Sequence, residues 1–264
     1  MTKALILLAG LFLLACNNEK GKEAGKKVKY SDIDVEMLKG DIQSYEEVSY
    51  KTDSSGKMGE MDTCCANLTA YDENGNATTF NSKDAKGMMK YASVYSRLEN
   101  GLWTGSTDTK EGGKPAGSMK VDVDDKGQYG YAHTFDSTGK PDIYYTTSGQ
   151  NEFGQVQSWK QYDKDSVFRQ EWEATYDKKL MISSIMKDSV GNIKQKYSAK
   201  YNDRGEITEN STTKITKDST TTTANKFTYE SHDENGNWTQ RTEWNDKGKA
   251  VRIIKRTYAY RKPA

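Results

Sequence analysis

The sequence predicts an all-β fold, an antiparallel meander of repeated hairpins forming a curled or partly closed sheet. Three features of the 264 residues point there. A small turn pattern, Asp/Asn-x-x-Gly, returns along most of the chain, and the residues between its copies alternate with period two. The apolar content is aromatic, with 17 Tyr, 6 Phe and 5 Trp in a chain that is only 34% hydrophobic. That many aromatics exclude a disordered, solvating chain, although the hydrophobic fraction falls below the ~45–50%, glycine included, of globular domains. The 39 Lys and Arg against 38 acids also exclude electrostatic binding of nucleic acid, which needs a basic surface.

The chain opens on Met1-Thr2-Lys3, a short basic start, and an apolar run over residues 4–15. This run is shorter than the ~20 residues of a membrane-spanning helix and fits the apolar core of a secretory signal. It ends Leu13-Leu14-Ala15-Cys16, which resembles a bacterial lipobox. The expectation is a lipoprotein signal peptide over residues 1–15, lipidation of Cys16, and a membrane partner held through acyl chains. Asn17 stands where Asp commonly signals inner-membrane retention, so the expected location is the outer membrane, on either face. Residues 16–30 are rich in Lys, Glu and Gly and read as a flexible tether. Residues 31–264 are expected to form the β domain.

Within that domain the fullest turns are Tyr71-Asp72-Glu73-Asn74-Gly75-Asn76 and His232-Asp233-Glu234-Asn235-Gly236-Asn237. Further copies include Asp136 to Gly139, Asn202 to Gly205, and Asn245 to Gly248. Asp or Asn at the first turn position accepts a backbone hydrogen bond from two residues on, and Gly takes the positive φ that ends the turn. A type I turn closed by a left-handed Gly is a common hairpin connection. Between turns, Tyr129, Tyr131, His133 and Phe135 alternate with Gly130, Ala132 and Thr134. Phe168, Trp172, Ala174 and Tyr176 share one parity, against Arg169, Glu171, Glu173 and Thr175; Tyr197, Ala199 and Tyr201 repeat the rule. Trp238 and Trp244 are set against Thr239, Arg241 and Glu243. One face is therefore aromatic and the other charged, as in antiparallel strands wet on one side. Helical periodicity is limited to short stretches at residues 33–38 and 88–98. The threonines at 212, 213, 216 and 220–223 suit an exposed or edge strand.

These copies resemble the tyrosine-aspartate (YD) repeats of Rhs-type proteins, in the short form found in lipoproteins of the Bacteroidetes. The pattern Tyr-Asp-x-x-Gly-Asn followed by a Thr- and base-bearing strand is matched from Tyr71 to Thr79, and from His232 to Arg241 with His in place of Tyr. Met37-Leu38-Lys39-Gly40 resembles the opening of those lipoproteins. The resemblance covers roughly residues 37–260, and it implies a repeat sheet with no established catalytic residue.

Chemistry-bearing patterns are sparse. His133 and His232 both sit in repeat contexts, and no Gly-x-Ser-x-Gly, phosphate loop or His-Glu-x-x-His is present. Asp72, Asn74 and Asn76 lack the loop spacing of a calcium hand, so no metal site and no cofactor are expected. Adjacent Cys64 and Cys65 are read as free thiols or a vicinal disulfide. Trp103, Trp159, Trp172, Trp238 and Trp244 are candidate binding aromatics for sugar rings, set against a plain role in covering the sheet. The expected function is that of a non-catalytic, membrane-anchored lipoprotein whose β-repeat surface binds protein or glycan at the cell envelope. The alternatives are a glycan-acting hydrolase with an Asp/Glu pair, and an immunity or chaperone partner of a secreted toxin.

Overall fold

The computed structural model describes residues 30–262, except Asp125 and the side chains of Thr63, Cys64 and Cys65. The signal peptide, Cys16 and all of the tether but Tyr30 lie outside the described residues. One short helix, α1 (Asp32–Val35), precedes sixteen strands. The first eight are β1 (Ile42–Thr52), β2 (Met58–Tyr71), β3 (Ala77–Lys83), β4 (Met89–Arg97), β5 (Trp103–Lys110), β6 (Lys114–Val123), β7 (Tyr129–Phe135) and β8 (Pro141–Gln150). The remainder are β9 (Val156–Asp163), β10 (Phe168–Asp177), β11 (Leu180–Asp188), β12 (Ile193–Tyr201), β13 (Ile207–Ile215), β14 (Thr220–His232), β15 (Trp238–Asn245) and β16 (Ala250–Tyr260).

Each strand pairs antiparallel with its chain neighbours, and β16 pairs with β1. The all-β meander is as expected, but the curled or partly closed sheet is corrected to a closed barrel. Closure pairs the two rows of edge N–H and C=O groups that an open meander leaves bare. Ile42 lies opposite Tyr260 and Lys51 opposite Arg252 along this seam. Arg261 latches it, donating to the Ile42 carbonyl at 3.0 Å and to the Tyr71 and Asp72 carbonyls, both at 2.6 Å. With no open edge among β1–β16, the Thr-rich β13 and β14 are internal strands and not edge strands.

The turns have the expected construction. At the β2–β3 connection the Gly75 N–H donates to the Asp72 carbonyl at 3.0 Å, and the Asp72 carboxylate accepts from the Asn74 and Asn76 N–H groups at 2.9 Å each. Asp136, Asn202, Asp233 and Asn245 repeat the arrangement. A bulge beside many turns shifts the register by one residue and exchanges the faces of the side chains beyond it. Three expected alternations are corrected on that ground. Phe168 turns outward against Tyr162, while Trp172 faces in. Tyr129 and Ala132 both point inward, leaving Tyr131 and His133 outside. Trp238 and Arg241 both reach the interior, while Trp244 stays outside and donates to Thr228 Oγ1 at 3.0 Å.

Inward tyrosines tie the hairpins. Tyr176, Tyr201, Tyr229 and Tyr258 close even-numbered strands, and their hydroxyls donate to the carbonyls of Val156, Met181, Ile207 and Trp238 at 3.1, 3.0, 2.9 and 3.1 Å. Each acceptor is the first or second residue of the preceding strand, so each Tyr fastens the two free ends of one hairpin. The structural repeat is thus a two-stranded unit whose Tyr satisfies its hydroxyl while covering the sheet.

Candidate functional site: the barrel lumen

Packed side chains fill one side of the barrel interior. Trp103, Met119, Val121, Tyr129, Ala132, Tyr145, Val156 and Trp159 form this core, with Trp172 against it. On the other side the walls from β9 to β16 stand apart and enclose a cavity of about 1030 Å³. Trp159, Trp172, Tyr176, Tyr197, Tyr201, Tyr229 and Trp238 line it, together with Leu180, Met181, Met186 and Ile207. Its far end is polar and uncharged apart from Lys214, with Gln170, Gln195, Thr212, Thr221 and Thr223.

The near end is floored by residues 30–41. Ser31 caps α1, accepting from the Asp34 N–H at 3.3 Å while its own N–H donates to the Asp34 carboxylate at 2.9 Å. This cap crosses the barrel mouth and docks on turns around its rim. The Tyr30 ring lies 4.9 Å from Phe153, and Lys179 Nζ donates to the Asp34 carbonyl at 3.0 Å. The Ile33 N–H donates to the Gly75 carbonyl at 3.1 Å. The Lys39 N–H donates to Asn237 Oδ1, and Asn237 Nδ2 returns a bond to the Lys39 carbonyl, both at 2.8 Å. The two fullest turns, Asp72 to Asn76 and Asp233 to Asn237, are therefore both docking points for the cap. Gly205 is another, since a Cβ there would meet Met37 Sδ at 2.4 Å.

Two buried carboxyls hold the cap from below. Asp32 accepts from the Ala77 N–H at 2.7 Å and pairs with Arg97, and burial pushes its pKa up to about 6. Glu36 accepts from the hydroxyls of Tyr71 and Tyr45 at 2.9 and 3.3 Å. Burial raises its pKa to about 7, against the opposing pull of Arg256. Sequence reading missed both acids. The Ser-x-x-Asp spacing at 31–34 was the available signal, since it marks a helix start.

The adjoining wall carries guanidinium groups. Arg256 pairs with Glu47 at 2.9 Å and lies 4.1 Å from the Trp238 ring. Arg241 sits on the other side of that environment, 4.6 Å from Trp238 and 5.3 Å from Phe227, and also feels Glu47. The buried Arg241 Nε has no hydrogen-bond partner. Glu206, the second carboxylate bordering the cavity, is engaged by His232 Nε2 at 2.6 Å.

The candidate aromatics do not make one exposed platform. Trp103 is buried in the packed core, Trp159, Trp172 and Trp238 face the cavity, and Trp244 is isolated on the outside. An external aromatic row does exist, built from residues not singled out as binding candidates: His133, Tyr144, Tyr162 and Phe168. Tyr144 and Tyr162 stack at 4.7 Å with only 2° between their planes, so they spend their faces on each other. Gly139 and Gly248 lie at the end opposite the cap, where an added Cβ would meet nothing within 4 Å. Among the described residues no cluster suits a metal ion.

No family model and no curated protein matches the sequence. Among solved structures, a porin-like protein from Bacteroides uniformis aligns with a TM-score of 0.55 at 13% identity, covering 83% of this chain and 96% of that one. A porin-like protein from Bacteroides vulgatus aligns with a TM-score of 0.39 at 9% identity, over 83% and 98%. The TcdB2-TccC3 structure gives a TM-score of 0.29 at 12% identity, over 73% of this chain and 12% of that one. The first likeness is one of architecture.

Proposed function

We propose that this chain is a non-catalytic, lipid-anchored envelope protein whose barrel stands beside the outer membrane and binds a ligand in its lumen. The observation that carries the reading is the polarity of the wall. Its inner face is aromatic and encloses the cavity, while the outer face of β10 to β13 is rich in charge. Arg169, Glu171 and Glu173 on β10 point away from the cavity, as do Lys196 and Lys200 on β12 and Glu209 on β13. Outer-face pairs join neighbouring strands, Lys187 with Glu173 at 2.7 Å and Lys200 with Glu209 at 2.8 Å. A barrel in lipid needs an apolar outer band, and each Lys or Arg at mid-depth costs about 2–4 kcal/mol. Attachment through acyl chains at Cys16 reconciles such a wall with a membrane location.

The cavity has the size and make-up of a small-ligand site, mostly apolar and aromatic with a few convergent polar groups. Its two carboxylates are each bound to protein partners, which favours binding over hydrolysis. In the test, Cys16→Ala is expected to leave unprocessed or soluble protein. A processed variant that fractionates with the membrane as wild type does would sink the reading.

A further inference from the structure

We infer that the lumen takes an amphiphile with an anionic head, its apolar body against Trp159 and Trp172 and its head at Arg241. This deepens the lumen-binding reading above and rests on it.

The charge around the cavity is uneven. Lys39, Lys179, Arg204, Lys214, Arg241 and Arg256 border it, against Glu36 and Glu206. Both acids are occupied, Glu36 by two tyrosine hydroxyls and Glu206 by His232. Deeper in the wall, Arg256 and Arg241 share the field of one carboxylate, Glu47, and Arg256 holds its hydrogen bond. Arg252, on the same inner parity, lies 3.7 Å from Glu243 and 3.9 Å from Asp62. Arg241 is left with aromatic faces, a tyrosine hydroxyl and an Nε without a partner. Buried charge is ordinarily paired. A guanidinium fixed between two rings and facing a cavity is placed to receive a carboxylate, sulfonate or phosphate.

The rest of the lining sets the body of the ligand. Trp159 and Trp172 meet edge to face at 5.3 Å, and Leu180, Met181, Met186 and Ile207 extend the apolar wall. The cap blocks the near end, so the end lined by Gln, Thr and Lys214 is the entry. A ligand entering head first would bring its anion to Arg241 on the wall beside the floor and leave its body among the rings.

The test pairs two fluorescent probes with the same kind of aromatic body, 8-anilinonaphthalene-1-sulfonate and neutral N-phenyl-1-naphthylamine. The full chain carrying Cys16→Ala is titrated with each in detergent-free buffer. The sulfonate is expected to bind at one equivalent and about ten-fold more tightly than the neutral probe, and dodecanoate is expected to displace it. Arg241→Gln should remove that preference while leaving the neutral probe's affinity unchanged, which also shows that the variant folds. Arg241→Lys should retain part of it. Equal affinity for the two probes, or an unchanged preference in Arg241→Gln, would overturn the anionic head and leave lumen binding standing. Binding of neither probe nor of dodecanoate would overturn both.

Discussion

At the scale of single residues, the carboxyls beneath the cap are held against their ordinary ionisation. Asp32 moves from 3.8 to about 6 and Glu36 from 4.5 to about 7, burial being the largest cause in each. An acid whose pKa is higher in the folded state stabilises that state in its protonated form. Its contribution is full below the unfolded value and is lost as pH rises through the folded one. Stability should therefore fall between about pH 4.5 and pH 7, by on the order of 1–3 kcal/mol from Glu36. Glu36→Gln keeps an acceptor for Tyr71 and Tyr45 and carries no charge. It is expected to be more stable than wild type at pH 8 in urea titrations, with a flatter profile from pH 5 to pH 8. Parallel profiles for the two proteins would refute this account of Glu36.

At the scale of elements, turns of one sequence pattern face two different environments. Gly75 has φ +79° and Gly191 φ +87°, so Ala at either position meets the same left-handed penalty of about 1 kcal/mol. A Cβ at Gly75 would lie 2.8 Å from Ser31 Oγ, whereas at Gly191 nothing lies within 4 Å. Both Gly75→Ala and Gly191→Ala should thus lower the melting temperature, Gly75→Ala the more. Only the former should speed hydrogen exchange at the Ile33 amide, which is bonded to the Gly75 carbonyl. Equal exchange in the two variants would mean that the cap does not depend on this dock. Turn positions were legible in the sequence because Asp, Asn and Gly act locally, within four residues. Face assignment was legible only between bulges: Tyr197, Ala199 and Tyr201 fell as expected, but Arg241 did not, because a bulge separates it from Trp238. The buried charges had a fainter signal. Arg256 shares the parity of Ile254, Tyr258 and Tyr260, and a base among inward residues marks either a pair or a site.

At the scale of the whole molecule, the closed barrel carries charged pairs on the outer face of β10 to β13. In planar bilayers the purified chain is expected to give no stepwise conductance, since a charged outer face cannot replace the apolar band of a spanning barrel. Reproducible single-channel steps would contradict the assignment of inner and outer faces. The seam between β1 and β16 also governs when the barrel can be complete. Its partners, such as Glu47 and Arg256, are 209 residues apart in the chain. Every other strand pair forms between chain neighbours and can assemble as the polypeptide emerges. The final contact must wait for the last strand, and until it arrives both outer strands are free to recruit another chain. A chain that stops short of residue 250 would therefore be no slightly smaller barrel but an adhesive sheet.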